Sequence, residues 1–168
     1  MSPERTEATR VAILAKAPIA GYAKTRLEPA LGADGAARFQ RLMIEATIAT
    51  ALAARLGPIT IWAAPDIAHD VFTRHASPRV TLARQPDGDL GIRMLAAFAT
   101  SEEPTLVIGT DCPALTPARL VEAAAALADG LDGALIPARD GGYVLIGLAK
   151  PRPSLFYDMP WGTADVAA

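Results

Sequence analysis

Short apolar runs and longer stretches of helical periodicity take turns along this chain. The run Arg10–Lys16 (RVAILAK) is of β type, and the proline- and glycine-bearing segment Ala17–Arg26 follows it. From Asp34 to Leu56, Phe39, Leu42, Met43, Ala46, Ala49, Ala53 and Leu56 recur at three- and four-residue steps. That spacing predicts a long helix with this stripe turned inward. Gly57-Pro58 is a stop signal. Ile59–Ala64 reads as a second strand. Asp66–His75 reads as a short helix with Asp66 as its N-cap, its two histidines, His69 and His75, facing solvent. Val80–Ala83 is a third strand and Gly91–Thr100 a third helix. Thr105–Gly109 is continuously apolar, as a strand covered on both faces is. Thr116-Pro117 joins an N-cap residue to a proline at the first helical position, and Gly130 closes the helix it opens. Gly133–Pro137 and Tyr143–Leu148 are two further strands about the tight Asp140-Gly141-Gly142, and beyond Lys150 no period persists.

Strand and helix alternation of this kind predicts an α/β fold: a three-layer α/β/α sandwich on a mostly parallel central sheet. At 168 residues the expectation is one domain spanning 1–168. Ligands of such sheets bind beyond the carboxyl ends of the strands. The segments after strands one, three, four and five are therefore where chemistry is expected.

Composition narrows the function classes. With 51% hydrophobic and 20% charged residues the chain is not of disordered composition. A net charge of −2 argues against a nucleic-acid partner, and 5% aromatics argue against a base-stacking platform. The single cysteine, Cys112, excludes an internal disulfide. No apolar run reaches the roughly 18 residues of a membrane span. The start, MSPERTEATR, mixes acids and bases without the order of a signal peptide, so a cytoplasmic protein is expected.

After the first strand, Lys16, Gly21, Lys24 and Arg26 lie within eleven residues. Lysine offers a point charge and arginine a planar fork to phosphate oxygens, while Gly21 lets backbone approach an anion. The segment is neither a Walker A loop nor a dinucleotide fingerprint. An ordinary basic loop competes with the phosphate reading. After the third strand, Asp89 sits between glycines before a helix, either as its cap or in contact with a ligand. After the fourth comes Gly109-Thr110-Asp111-Cys112-Pro113. A carboxylate there is placed to hold a hard divalent cation beside a phosphate, although a turn-forming Asp is the alternative. Cys112 reads as a packed residue. After the fifth, Asp140, Gly141, Gly142 and Tyr143 converge, either as a hairpin turn or as the border of a pocket. Cations after strand one and acids after strands four and five together describe a pocket for a metal–diphosphate ligand.

Four ordered segments carry a family resemblance: LysAlaProIleAlaGlyTyrAlaLysThrArgLeu, GlnProAspGlyAspLeuGlyIleArgMet, GlyThrAspCysProAlaLeuThr and AspGlyGlyTyrValLeuIleGlyLeu. They resemble a bacterial family of GT-A-fold, nucleotide-diphospho-sugar-transferase-like proteins, some of them named glycosyltransferases of arsenosugar biosynthesis. The resemblance runs from about Val11 to Val166. It implies a sheet that binds a nucleotide over its amino-terminal half. Lys16, Lys24 and Arg26 would hold phosphates, Asp111 a Mg²⁺ or Mn²⁺ ion, and Asp140 to Tyr143 would border the acceptor or sugar pocket. The first segment also looks like that of guanylyltransferases of the same superfold. Trp161, in a Met-Pro-Trp-Gly-Thr segment resembling a later family motif, would wall the acceptor site or anchor the C-terminal segment. Members of the family continue past that motif with a helix and an Asp-x-Asp-type stretch, so the resemblance implies a domain lacking that part and a surface open to homo-oligomer formation.

The activity this implies is a metal-dependent glycosyltransferase acting on a sugar nucleotide and a small-molecule acceptor, with Asp140 taking the acceptor proton. The alternatives are a nucleotidyltransferase, which joins an NTP to a phosphorylated acceptor, and an idle nucleotide-binding domain.

Overall fold

Along β1 (Arg10–Lys16) the side chains of Val11, Ile13 and Ala15 go to one apolar cluster and those of Ala12 and Leu14 to another. Alternation of this kind lets one strand serve two cores, and it sets the architecture. The computed structural model describes residues 8–138 and 142–157. Six strands form one sheet in the order β3-β2-β1-β4-β6-β5. β1, β2 (Ile59–Ala64), β3 (Val80–Arg84) and β4 (Thr105–Ile108) pair in parallel. β6 (Tyr143–Leu148) runs antiparallel between β4 and β5 (Gly133–Pro137). The carboxyl ends of β1 to β5 and the start of β6 therefore share one edge.

The helices are α1 (Glu28–Ala53), α2 (Asp70–Thr73), α3 (Leu90–Phe98) and α4 (Pro117–Ala128). Ile44 and Ile48 of α1 and Leu120, Ala124 and Leu127 of α4 pack on one sheet face with Leu106, Ile108 and Leu145. Met94, Ala97 and Phe98 of α3 cover the other, with Trp62, Val107 and Ile146. Phe156 closes that face, its ring 5.5 Å from Phe98. The predicted α/β/α sandwich is the observed fold. Among the described residues no helix is long and apolar enough to cross a membrane.

Two sequence expectations are corrected. The helix over 34–56 begins earlier, at Glu28, with a break at Gly32, where φ is 69°. Its inward face is also not the predicted stripe. Ala36, Gln40, Met43, Ile44, Thr47, Ile48 and Ala51 are buried, whereas Phe39 and Leu42 are exposed, Leu42 by 63%. Thr47 sits inward because its hydroxyl donates to the Met43 carbonyl at 2.8 Å, and Gln40 because its amide is used at the strand ends. Polar residues are buried when their hydrogen bonds are made, so hydropathy alone turned the helix the wrong way.

The second correction concerns α2. It spans only Asp70–Thr73 and its N-cap is His69, whose Nδ1 accepts from the Val71 amide at 3.2 Å. Asp66 instead closes a local turn, accepting from the Ala68 amide at 2.9 Å. His69 and His75 are half-buried rather than turned to solvent, and the His69 ring meets Phe72 edge-on. The helix is pinned to α1 through Asp70. The Arg41 guanidinium grips its carboxylate at 2.9 and 3.0 Å, and Arg74 adds a contact of 2.6 Å. Arg41 first, then Arg74, holds this carboxyl well below its ordinary range.

Candidate functional site

β4 stops opposite Ile13, three residues before β1 ends. Chain connections go from β1 towards β2 on one side and return to β4 on the other, so the crevice between the ends of β1 and β4 is the topological switch point of the sheet. Open α/β sheets bind ligands at such a crevice. Lys24 and Asp111 meet there.

The loop after β1 folds back on itself. The Tyr22 and Ala23 amides donate to the Ile19 carbonyl, and Gly21 turns at φ +75° with open space where a Cβ would stand. Lys24 takes the left-handed conformation (φ 55°) and starts a 3-10 turn, Thr25–Leu27, in which Arg26 is exposed. That geometry brings the Lys24 Nζ to 2.7 Å from Asp111 Oδ1. The Lys24 side chain is 18% exposed and that of Asp111 79%, so the ammonium is the sheltered partner. Lys16 is exposed, with its Nζ 5.8 Å from the Tyr22 ring centroid, a cation–π distance.

Beneath this pair lies a layer that sequence reading missed. Gln40 Nε2 donates to the Lys16 carbonyl at 3.0 Å and to Thr110 Oγ1 at 3.2 Å. The Thr110 hydroxyl lies 3.5 Å from Asp111 Oδ1. Near the end of β3, Gln85 Nε2 donates to the Ala15 carbonyl at 3.1 Å and to the Trp62 carbonyl at 2.8 Å. Arg93 reaches Gln85 Oε1 at 3.3 Å and the Gly88 carbonyl at 3.1 Å, tying the loop before α3 to the floor of the site. The usable signal for Gln40 was a polar side chain amid apolar helix positions. Gln85 stood beside the Asp87-Gly88-Asp89 turn, which drew the reading away from it.

The remaining expected residues separate. Asp89 caps α3, its Oδ1 accepting from the Ile92 amide at 2.9 Å, which is compatible with a ligand at the same helix start. The Gly142 carbonyl accepts from the Ala138 amide at 2.9 Å, joining the ends of β5 and β6. Tyr143 turns onto α3, with its hydroxyl 2.9 Å from Met94 Sδ, and burial pushes its phenol well above the ordinary value. Asp140, Gly141 and Trp161 lie outside the described residues. A separate open concavity of about 440 Å³, between Arg55, Pro58, Pro78 and Arg79, lies at the opposite, amino-terminal edge and holds none of the motif residues.

Among the described residues no three His, Cys, Asp or Glu side chains gather as a metal cluster. Magnesium, however, needs only one or two carboxylates when substrate phosphates and water complete its shell. An exposed Asp111 beside cations suited to phosphate fits that partial donor set, with Lys24 at its Oδ1.

The sheet order and this crevice define a nucleotide-diphospho-sugar-transferase fold. Residues 47–163 match the family described as uncharacterized proteins conserved in bacteria (DUF2064), and the chain belongs to that family. A solved structure described as a proposed nucleotide-diphospho-sugar transferase, from Desulfovibrio desulfuricans G20, is 31% identical, with a TM-score of 0.82 over 95% of this chain and 72% of its own. A nucleotidyl transferase from Methanothermobacter is 20% identical, with a TM-score of 0.62 over 95% of this chain and 79% of its own. A Mycobacterium tuberculosis H37Rv protein solved in complex with manganese is 15% identical, with a TM-score of 0.54 over 95% of this chain and 74% of its own. These two share the fold alone. A search of curated proteins gives no match.

Proposed function

We propose that the chain is a metal-dependent glycosyltransferase that takes a nucleotide-diphospho-sugar donor. The Lys24–Asp111 pair at the switch point carries the reading, because it joins a phosphate-type cation to a metal-type carboxylate at 2.7 Å. The 31% identical relative, described as a proposed nucleotide-diphospho-sugar transferase, supports a transferase. Lys16, Lys24 and Arg26 would hold the diphosphate and balance the charge that grows on it as the sugar leaves. Fixed charges aimed at developing charge are the strongest device available to such a site. Asp111 would hold Mg²⁺ or Mn²⁺, and the manganese complex among the structural neighbours supports the metal. When bound, the ion would neutralise diphosphate oxygens. Asp140 is assigned to the acceptor hydroxyl proton, with Gly141, Gly142, Tyr143 and Trp161 assigned to the pocket around it.

The test is a binding and product assay. Thermal shifts with UDP-, GDP-, ADP- and CDP-sugars and with the four NTPs, each with and without Mg²⁺ or Mn²⁺, identify the donor. A ligand specific for the folded state adds about 2.7 kcal/mol at a hundredfold excess over its Kd. Release of a nucleoside diphosphate is the expected product. Release of pyrophosphate would replace the reading with a nucleotidyltransferase, whose cations would grip a triphosphate. Nucleotide binding with no turnover of any of these compounds would leave a binding domain.

A further inference from the structure

Gln40 is an amide on the inward face of a helix, only 3% exposed, among Ala36, Met43 and Ile44. Its Nε2 joins two chain segments that the sheet itself does not join at that level. The β1–β4 ladder ends at the Ile13–Ile108 pair, yet Gln40 reaches Lys16 on one side and Thr110 on the other. Its Oε1 is shut off from solvent and has no hydrogen-bond partner among the described residues. An apolar side chain would fill this place without stranding an acceptor, so packing alone does not account for a glutamine. What the glutamine adds is orientation. An oxygen that accepts from Gln40 directs its own hydrogen elsewhere, and the Thr110 hydroxyl has Asp111 Oδ1 within 3.5 Å.

We propose that Gln40 is a positioning residue: acting through the Thr110 hydroxyl, it orients the Asp111 carboxylate against Lys24 and sets the gap between the ends of β1 and β4. The inference rests on reading Lys24 and Asp111 as the metal–diphosphate site, and it predicts a selective effect. Loss of the amide should weaken the metal-dependent part of nucleotide binding, which runs through Asp111. The metal-free part, which runs through the Lys16, Lys24 and Arg26 charges, should change little.

Three variants test it. Gln40→Met keeps length and removes both donors. Thr110→Val keeps shape and removes the hydroxyl. Thr110→Ser keeps the hydroxyl. The first readout is the position of the Lys24 and Asp111 backbone amide signals in ¹H–¹⁵N spectra of the ligand-free chain. The second is sugar-nucleotide affinity with and without Mn²⁺. Gln40→Met and Thr110→Val should both move the Lys24 and Asp111 signals and lower Mn²⁺-dependent affinity about tenfold, with metal-free affinity within about twofold. Thr110→Ser should restore the wild-type pattern. If Gln40→Met does not fold, Thr110→Val against Thr110→Ser decides the relay. Unmoved Lys24 and Asp111 signals in the folded variants would overturn the proposal, as would an equal fall in both affinities. A wild-type chain that binds no nucleotide would sink the proposed function instead, and the spectra would still decide the role of Gln40.

Discussion

Lys24 Nζ and Asp111 Oδ1 lie 2.7 Å apart although 87 residues of chain separate them. The contact closes the crevice between β1 and β4, and each partner arrives from a different loop. An exposed ion pair contributes only about 0–1 kcal/mol to stability. The pair therefore matters through what it can bind. Asp111→Asn should leave the melting temperature of the free chain nearly unchanged and abolish the metal-dependent thermal shift with sugar nucleotide. Full retention of that shift would remove Asp111 from the metal.

Asp89 separates capping from ligand contact. Its Oδ1 accepts the Ile92 amide at the start of α3. Asp89→Ala should cost about 1 kcal/mol in denaturant unfolding, whereas Asp89→Asn, which keeps a capping oxygen, should cost a few tenths. If both variants unfold like the wild type but lose nucleotide affinity, the residue contacts ligand and its capping bond is incidental.

Acid stability should depend on Asp70. Arg41 and Arg74 depress its folded-state pKa below the ordinary 3.8. A depressed carboxyl contributes stability that is present above the unfolded value and is lost as pH falls towards the folded one. Melting temperature should therefore drop as pH is lowered from 4 towards about 2. Asp70→Asn should flatten part of that drop, and should lower the melting temperature at neutral pH. The group is exposed, so the effect is modest. An identical acid profile in wild type and variant would show that the two arginines stabilise the folded state no more than the unfolded one.

Gly147 is fixed by packing rather than by conformation. A Cβ added there would stand 2.6 Å from Leu106 Cδ2 and 3.3 Å from Leu127 Cδ1, inside the face covered by α4. Overpacking of this kind costs about 1–3 kcal/mol. Gly147→Ala should lower stability by that amount without altering nucleotide affinity in the folded fraction. Wild-type stability would mean that Leu106 and Leu127 repack freely.

The layer order was legible because each strand is a short apolar run bounded by proline, glycine or a cap. Thr105–Ile108 shows this best: all four residues are buried, and the acid that follows marks the strand end. Asp111 and Lys24 were therefore singled out as candidates from position alone. Their distance was not, since it depends on Lys24 adopting a left-handed turn that no side chain there demands. The facing of α1 was misread for a related reason. Gln40 turns inward because its Nε2 donates to partners 24 and 70 residues away, which periodicity does not register. Tyr143 follows the diglycine in the sequence, but the register shift between the Ile136–Leu145 and Pro137–Tyr143 pairs, which places it on the α3 face, leaves no mark in the hydropathy pattern.

Two successive carbonyls at the end of β1 are claimed by glutamines: Lys16 by Gln40 and Ala15 by Gln85. Backbone pairing with β2 continues to the Lys16–Ala64 pair, whereas on the β4 side it has ended at Ile13, and Gln40 spans that gap. Side chains make it adjustable one codon at a time. The loops above can then vary while the spacing of Lys24 and Asp111 is retuned separately, by substitution at two buried amides, Gln40 and Gln85.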